Sequence, residues 1–125
     1  MSIKQSFPKQ ALTELAFTCA INGLTEACYS ISDGIAAVYD NSPLPFLLKA
    51  ISQLNSNQPL TALQLLEDNA LPLDPENPTI KVLIGYAHIC SGHYEKGYSL
   101  LKPLSNEFAN SDQPSRALAL EFLAA

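Results

Sequence analysis

The chain has 125 residues, of which 47% are hydrophobic and 15% are charged, so the composition predicts one folded domain with a buried core. Its formal net charge is −5 and its seven lysine and arginine residues are scattered. Nucleic-acid binding needs a clustered basic surface, so it is not expected here. The apolar stretches are shorter than the roughly 20 residues of a membrane-spanning helix, and the N-terminal segment lacks the apolar core of a secretory signal. We therefore expect a cytoplasmic protein without membrane insertion.

Apolar residues recur at spacings of three and four along most of the chain, which is the pattern of amphipathic helices. Residues that favour turns, among them Asn22-Gly23, Asn57 and Ser91-Gly92, separate the apolar stretches. No stretch alternates like a strand, so we predict an all-α fold. The seven predicted helices cover approximately residues 11–21, 25–38, 45–54, 60–70, 79–90, 94–108 and 113–123.

Pairs of small residues repeat through the sequence, and the two members of each pair are 12 positions apart with a turn between them. The first members of successive pairs are separated by 34 and then 35 residues, and so are the second members. A helix–turn–helix repeat of 34 residues is the tetratricopeptide period. Small residues are expected where the two helices of a repeat cross closely, because a large side chain would push them apart. The pairs are Ala16 and Cys28, Ala50 and Ala62, and Gly85 and Gly97.

The third repeat resembles the tetratricopeptide pattern most fully. Asp74-Pro75-Glu76-Asn77-Pro78 is similar to the linker common between such repeats, Ile84-Gly85 stands where the family has Leu-Gly, and Gly92-His93-Tyr94 where it has Gly-x-Tyr. Gly97 replaces the usual alanine, and the 35-residue step implies one extra residue near positions 69–72. The resemblance implies a right-handed α-solenoid. Its three repeats would cover approximately residues 9–42, 43–77 and 78–111, with a capping helix at about 113–123.

No sequence motif points to catalysis or to a bound cofactor. A glycine-rich phosphate loop, a GxSxG motif and an HExxH motif are all missing. Cys90 lies close to His88 and His93 in the sequence, but residues two apart on a helix point away from each other, so a thiol–imidazole pair is not expected. Cys19, Cys28 and Cys90 are expected to be reduced thiols buried in the helical core. We predict no enzyme activity, no metal site and no cofactor.

The tetratricopeptide resemblance also implies which residues face a partner. In such proteins the first helix of each repeat lines a concave groove, and placing Ala16, Ala50 and Gly85 at the same repeat position fixes the register. The resulting groove has no basic side chain to hold a peptide carboxylate, whereas its apolar lining suits the non-polar face of an amphipathic helix. If the register were one position off, these residues would be ordinary core. The predicted partner-binding residues are Phe17, Ile21, Leu44, Leu47, Ile51, Leu54, Val82, Tyr86 and Ile89.

The order of these features resembles the tetratricopeptide-like co-chaperone of the type III secretion needle subunit in Gram-negative bacteria. The similarity extends over approximately residues 12–122 and consists of short matches without a defining signature motif. The matching segments are Glu14-Leu15-Ala16, Glu26-Ala27-Cys28, Leu47-Leu48-Lys49, Ala62-Leu63-Gln64 and Ser111-Asp112-Gln113-Pro114-Ser115-Arg116.

This resemblance implies a cytoplasmic chaperone that holds the amphipathic C-terminal helix of the needle subunit in its groove and prevents premature polymerisation. It also implies a second small helical partner, a co-chaperone that packs mainly on the N-terminal repeat in a heterodimer or heterotrimer, with Phe17 and Ile21 as candidate contacts. The well-formed linker at 74–78 is more typical of tetratricopeptide proteins in general. A chaperone of type III translocator proteins and a generic protein–protein adaptor therefore stay open as alternatives.

Overall fold

The computed structural model describes residues 9–107, and every regular element in this range is a helix. The all-α prediction is therefore confirmed for the described residues, while the predicted helix at 113–123 lies outside them. No helix within this range combines the length and the apolar character that a membrane span needs. The helices are α1 (Lys9–Ile21), α2 (Thr25–Val38), α3 (Leu44–Asn55), α4 (residues 59–73), α5 (Pro78–Cys90) and α6 (Tyr94–Glu107).

The same turn joins α1 to α2, α3 to α4 and α5 to α6. Its central residues Gly23, Asn57 and Gly92 have left-handed φ angles of 77°, 60° and 88°, which glycine and asparagine adopt most readily. The backbone N–H of the following residue donates to the carbonyl five residues earlier, which ends the first helix of each pair. These hydrogen bonds run from Leu24 to Cys19 (2.9 Å), from Gln58 to Gln53 (2.8 Å) and from His93 to His88 (2.8 Å). Their acceptors are 34 and then 35 residues apart, so the turns repeat with the period of the small residues.

The repeating small residues lie in the core of these helix pairs. The four that are not glycine are completely buried: Ala16, Cys28, Ala50 and Ala62. The approach is closest between α5 and α6, where a Cβ atom on Gly85 would lie 2.8 Å from Cγ of Leu101. The predicted close crossing at Gly85 and Gly97 is therefore confirmed, because neither position has room for a side chain.

The three helix pairs also contact one another through their first helices, since α1 packs against α3 and α3 packs against α5. Two clusters of buried apolar residues result. One joins α1, α2 and α3, and the other joins α3, α4 and α5. Ile51 of α3 packs against both clusters, so this helix connects the two halves of the core.

Helix α4 contains a π-helical turn. It begins as α-helix at Pro59–Gln64, continues as π-helix at Leu65–Ala70 and ends as α-helix at Leu71–Leu73. A π turn holds more residues than an α turn, so it absorbs an extra residue without breaking the helix. The sequence requires that residue between Ala62 and Gly85, and the π turn lies in this interval. The predicted one-residue insertion is thus accommodated inside α4.

Helix α5 begins at a capped N-terminus in the linker that follows α4. The side-chain Oδ1 of Asn77 accepts hydrogen bonds from the backbone N–H groups of Thr79 (2.9 Å) and Ile80 (3.3 Å). Its Nδ2 donates to Oδ2 of Asp74 at 3.0 Å, which fixes the amide orientation. Pro78 occupies the first helical position, where its missing N–H costs nothing. The linker residues therefore set where the third helix pair starts.

Candidate partner-binding groove

An open groove with a volume of about 380 Å³ lies across the first helices of the three pairs. Six of its eight lining residues are apolar or aromatic, and none is charged. The lining residues are Phe17 and Ile21 of α1, Ile51, Leu54 and Asn55 of α3, and Thr79, Leu83 and Tyr86 of α5.

Helical spacing brings these side chains to one surface. Phe17 and Ile21 are four residues apart on α1, and Ile51 and Leu54 are three apart on α3, so each pair shares a helix face. On α5, Thr79, Leu83 and Tyr86 follow the same three-and-four spacing. The neighbouring faces of α1 and α3 point into the core, where Ala16, Ala20 and Ala50 are completely buried. Because those faces are buried in the core, the adjacent faces of α1 and α3 turn their side chains toward the groove.

The groove exposes large apolar side chains. Phe17 is 44% exposed and Ile21 is 49% exposed, while Ile51, Leu54 and Tyr86 are partly buried. Leu83 is only 5% exposed and belongs both to the groove and to the core beneath it. A cluster of exposed apolar side chains that converge on one cavity is typical of an interaction site.

The structure brings together five of the nine residues predicted to bind a partner, namely Phe17, Ile21, Ile51, Leu54 and Tyr86. The other four lie elsewhere. Leu47 and Val82 do not line the groove: Leu47 belongs to the core cluster of α3, α4 and α5, and Val82 is completely buried. Leu44 packs against the cluster formed by α1, α2 and α3. Ile89 points at α6, since its Cγ1 lies 2.5 Å from where a Cβ atom on Gly97 would be.

These corrections have one physical cause. Successive residues on a helix are rotated by about 100°, so a position chosen from the repeat register alone can face a neighbouring helix instead of the groove. The repeat register also places Thr79 in the groove, as observed, whereas Leu83 and Asn55 were missed for the same reason. Helical spacing alone could have indicated both, because Leu83 lies between Thr79 and Tyr86 on one face and Asn55 lies one turn after Ile51.

The three lysines on the groove helices contact residues away from the groove. Nζ of Lys9 lies 5.1 Å from the ring centre of Tyr39. Nζ of Lys49 lies 2.7 Å from Oδ1 of Asp33 and 5.0 Å from the ring centre of Tyr29. Nζ of Lys81 lies 3.3 Å from Oε2 of Glu76. None of the three lysines lines the groove, so its described lining offers no cation to a peptide carboxylate.

Two histidines lie outside the groove, at the turn between α5 and α6. His88 is 5% exposed, and its Nδ1 lies 3.3 Å from Nδ1 of His93. Burial lowers the pKa of His88 below its ordinary value of 6.5. Nearby Lys96 lowers this pKa further, Glu67 opposes the effect, and His93 adds to it. Protonation of His88 is therefore unfavourable in the folded protein.

The cysteines do not form a reactive cluster with these histidines. Cys19 and Cys28 are buried, as predicted, whereas Cys90 is exposed, so the prediction of a third buried thiol is wrong. Cys90 is the last residue of α5 and lies off the face that packs in the core. Burial raises the pKa of the Cys28 thiol, which keeps it protonated and unreactive. Among residues 9–107, no group of three or more His, Cys, Asp or Glu side chains lies close enough together to hold a metal ion.

Comparison of the chain with protein-family models, curated proteins and solved structures gives no match in any of the three. The kind of partner surface that fits the groove is therefore inferred from its own residues. Three properties of the groove indicate which partner it can bind. It extends across three consecutive helix pairs, its lining is mainly apolar, and no lining residue is charged.

Proposed function

We propose that this protein is a tetratricopeptide-like chaperone that binds the apolar face of an amphipathic helix in the groove described above. The observation that carries the proposal is the convergence of six apolar or aromatic side chains from α1, α3 and α5 on one uncharged surface. The three helix pairs, with identical turns at steps of 34 and 35 residues, support a tetratricopeptide-like arrangement of the chain.

The dimensions of the groove favour a helix as its occupant. Packed helices lie about 8–10 Å apart, so a surface that extends from α1 across α3 to α5 is roughly 16–20 Å long. A helix rises about 5.4 Å per turn, so three to four turns would cover this length. An amphipathic helix presents apolar anchors at i, i+3, i+4 and i+7, which matches a lining of separated apolar side chains without charge.

The client follows from the family resemblance. We propose that it is the needle subunit of a bacterial type III secretion system, held through its amphipathic C-terminal helix in the cytoplasm. Needle subunits polymerise through amphipathic helices, so covering the apolar face of one helix would prevent early assembly. A second small helical protein would pack on the N-terminal helix pair, where Leu24 is 55% exposed.

A generic tetratricopeptide adaptor is the second candidate. The observation that favours it is the intact linker at 74–78, in which Asn77 caps α5 and Asp74 orients the Asn77 amide. An adaptor of this kind would join folded proteins and would not keep a polymerising protein soluble. Solubilisation of a client therefore separates the two candidates.

The test is co-expression with a short helical protein that polymerises on its own, using a type III needle subunit as the probe. Wild-type protein should keep this client soluble and unpolymerised in sedimentation. Phe17→Asp should weaken binding roughly 30-fold or more, because a charge replaces a groove anchor. Leu15→Asp is the matched control, since Leu15 is exposed on the same helix but does not line the groove.

Both variants should keep the helical circular-dichroism spectrum of the wild type, because both positions are exposed. Equal client binding by Phe17→Asp and Leu15→Asp would contradict the proposal that the client binds in the groove. A client that polymerises at the same rate with and without the wild-type protein would contradict the chaperone function itself.

A further inference from the structure

His88 and His93 connect the end of α5 to the turn that leads into α6. Their side chains meet at 3.3 Å between the two Nδ1 atoms, with ring centres 5.6 Å apart. The backbone N–H of His93 also donates to the carbonyl oxygen of His88 at 2.8 Å. The same two residues are therefore joined twice, through the backbone bond that closes the turn and through their rings.

The contact between the rings depends on how many protons they carry. A neutral imidazole has one N–H donor and one acceptor nitrogen, whereas a protonated imidazole has two donors. With both rings neutral, or with one protonated, one Nδ1 donates to the other. With both rings protonated, each Nδ1 carries a hydrogen, so the bond is lost and two positive charges lie side by side.

The surroundings of His88 make its protonation unfavourable. The ring is 5% exposed, and its Nε2 is buried without a hydrogen-bond partner among the described residues. A second N–H on this ring would remain unsatisfied away from water, which is costly.

The charged groups around the ring come from all three neighbouring helices and the turn. Glu67 of α4, Lys81 of α5 and Lys96 of α6 line a cavity of about 310 Å³ together with His88, and His93 and Glu95 line a second one with it. Glu67 favours charging of His88, whereas Lys96 and His93 oppose it.

We propose that the His88–His93 pair is an acid-sensitive latch on the α5–α6 hairpin, closed by one hydrogen bond near neutral pH and opened when both rings are protonated. The unfolded chain binds a proton at His88 near pH 6.5, whereas burial of this ring in the folded hairpin opposes that proton. The unfolded state therefore binds more protons below this pH. Stability that is present above about pH 6.5 is lost as the pH falls.

Acidification also has a consequence for the groove. Helix α5 supplies Leu83 and Tyr86 to it, so loosening of the α5–α6 hairpin would weaken binding of a client helix. This consequence rests on the proposed function, whereas the latch itself does not.

The test of the latch uses the full chain without any client. Urea unfolding of the wild type and of His93→Asn is compared at about pH 7.5 and about pH 5. The introduced amide can donate to a neutral His88 and accept from a protonated one, so it keeps the bond in both states. The ratio of folded to unfolded protein should fall further in the wild type than in the variant as the pH is lowered, because only the wild type can place a second positive charge beside His88. Carboxylates titrate in both proteins and cancel in this comparison.

A second variant tests the repulsion directly. His93→Lys places a permanent charge and hydrogen-bond donor beside His88. It should keep a bond to neutral His88 at about pH 7.5 and lose stability at about pH 5 as the wild type does, and more than His93→Asn. Equal pH dependence in the wild type and His93→Asn would overturn the latch, as would a histidine NMR titration in which His88 protonates at its ordinary value.

The groove is tested separately, through the affinity of a needle-subunit helix for the wild type and for His93→Asn at the same two pH values. A loss of affinity at low pH that is larger in the wild type supports coupling of the latch to the groove. Equal loss in both proteins would overturn the coupling but not the latch. If the helix binds neither protein at either pH, the proposed function fails while the unfolding experiment still decides the latch.

Discussion

The carbonyl oxygen of Gly85 lies 2.7 Å from the point that a Cβ atom on Gly97 would occupy. The same point is 2.5 Å from Cγ1 of Ile89 and 3.1 Å from its backbone nitrogen. Backbone atoms cannot move aside without separating α5 from α6, and packed interiors have little slack. Gly97 therefore determines how closely the last described helix pair packs.

Gly97→Ala should destabilise the protein by about 1–3 kcal/mol, because overpacking outweighs the better helix propensity of alanine, worth about 1 kcal/mol. Gly34→Ala is the matched control, since Gly34 also lies within a helix but has nothing within 4 Å of the added Cβ. That change should stabilise the protein by about 0.5–1 kcal/mol. Urea unfolding followed by circular dichroism measures both. A shift of the same sign in the two variants would contradict the close crossing.

The repeating features of this fold could be predicted from the sequence because they are local. Gly23 and Gly92 are residues that adopt a left-handed φ, and each ends a helix where the apolar pattern stops. The small residues at Gly85 and Gly97 mark a helix crossing because only a small side chain fits there. Such features can be recognised from residues that are close in the sequence and from the spacing at which they repeat.

The rotation of each helix about its axis could not be predicted in the same way. Val82 and Leu83 are adjacent, yet Val82 is completely buried and Leu83 lines the groove. Which of the two faces the groove depends on how α5 packs against α3 and α6, and that is a property of the tertiary structure. The π turn in α4 could not be predicted either. The sequence pattern indicated an extra residue near 69–72, but it did not indicate that a π turn would accommodate this residue.

The cap of α5 gives a second prediction. Asn77→Ala removes the acceptor of two backbone N–H groups and the partner of Asp74, so it should cost about 1 kcal/mol. Asn77→Ser is the matched control, because its hydroxyl oxygen can still cap the helix and should recover most of this loss. Thermal unfolding at one pH compares the three proteins. Equal stability of the alanine variant and the wild type would mean that the cap is not needed to start α5.

The distinction between groove and core gives the third prediction, through Leu47 and Tyr86. Leu47 is 8% exposed within the cluster of α3, α4 and α5. Leu47→Asp should therefore unfold the chain, because it leaves a cavity and a buried charge at a cost of more than about 4 kcal/mol out of a typical total of about 5–15 kcal/mol.

Tyr86→Asp should instead keep the helical spectrum and lose affinity for the client helix, because Tyr86 is only partly buried and lines the groove. Tyr94→Asp is its control, since Tyr94 is 61% exposed and lies outside the groove. Circular dichroism and a binding assay on the same samples separate folding from binding. A folded Leu47→Asp variant that has lost only client binding would show that Leu47 contacts the client, as the repeat register predicted.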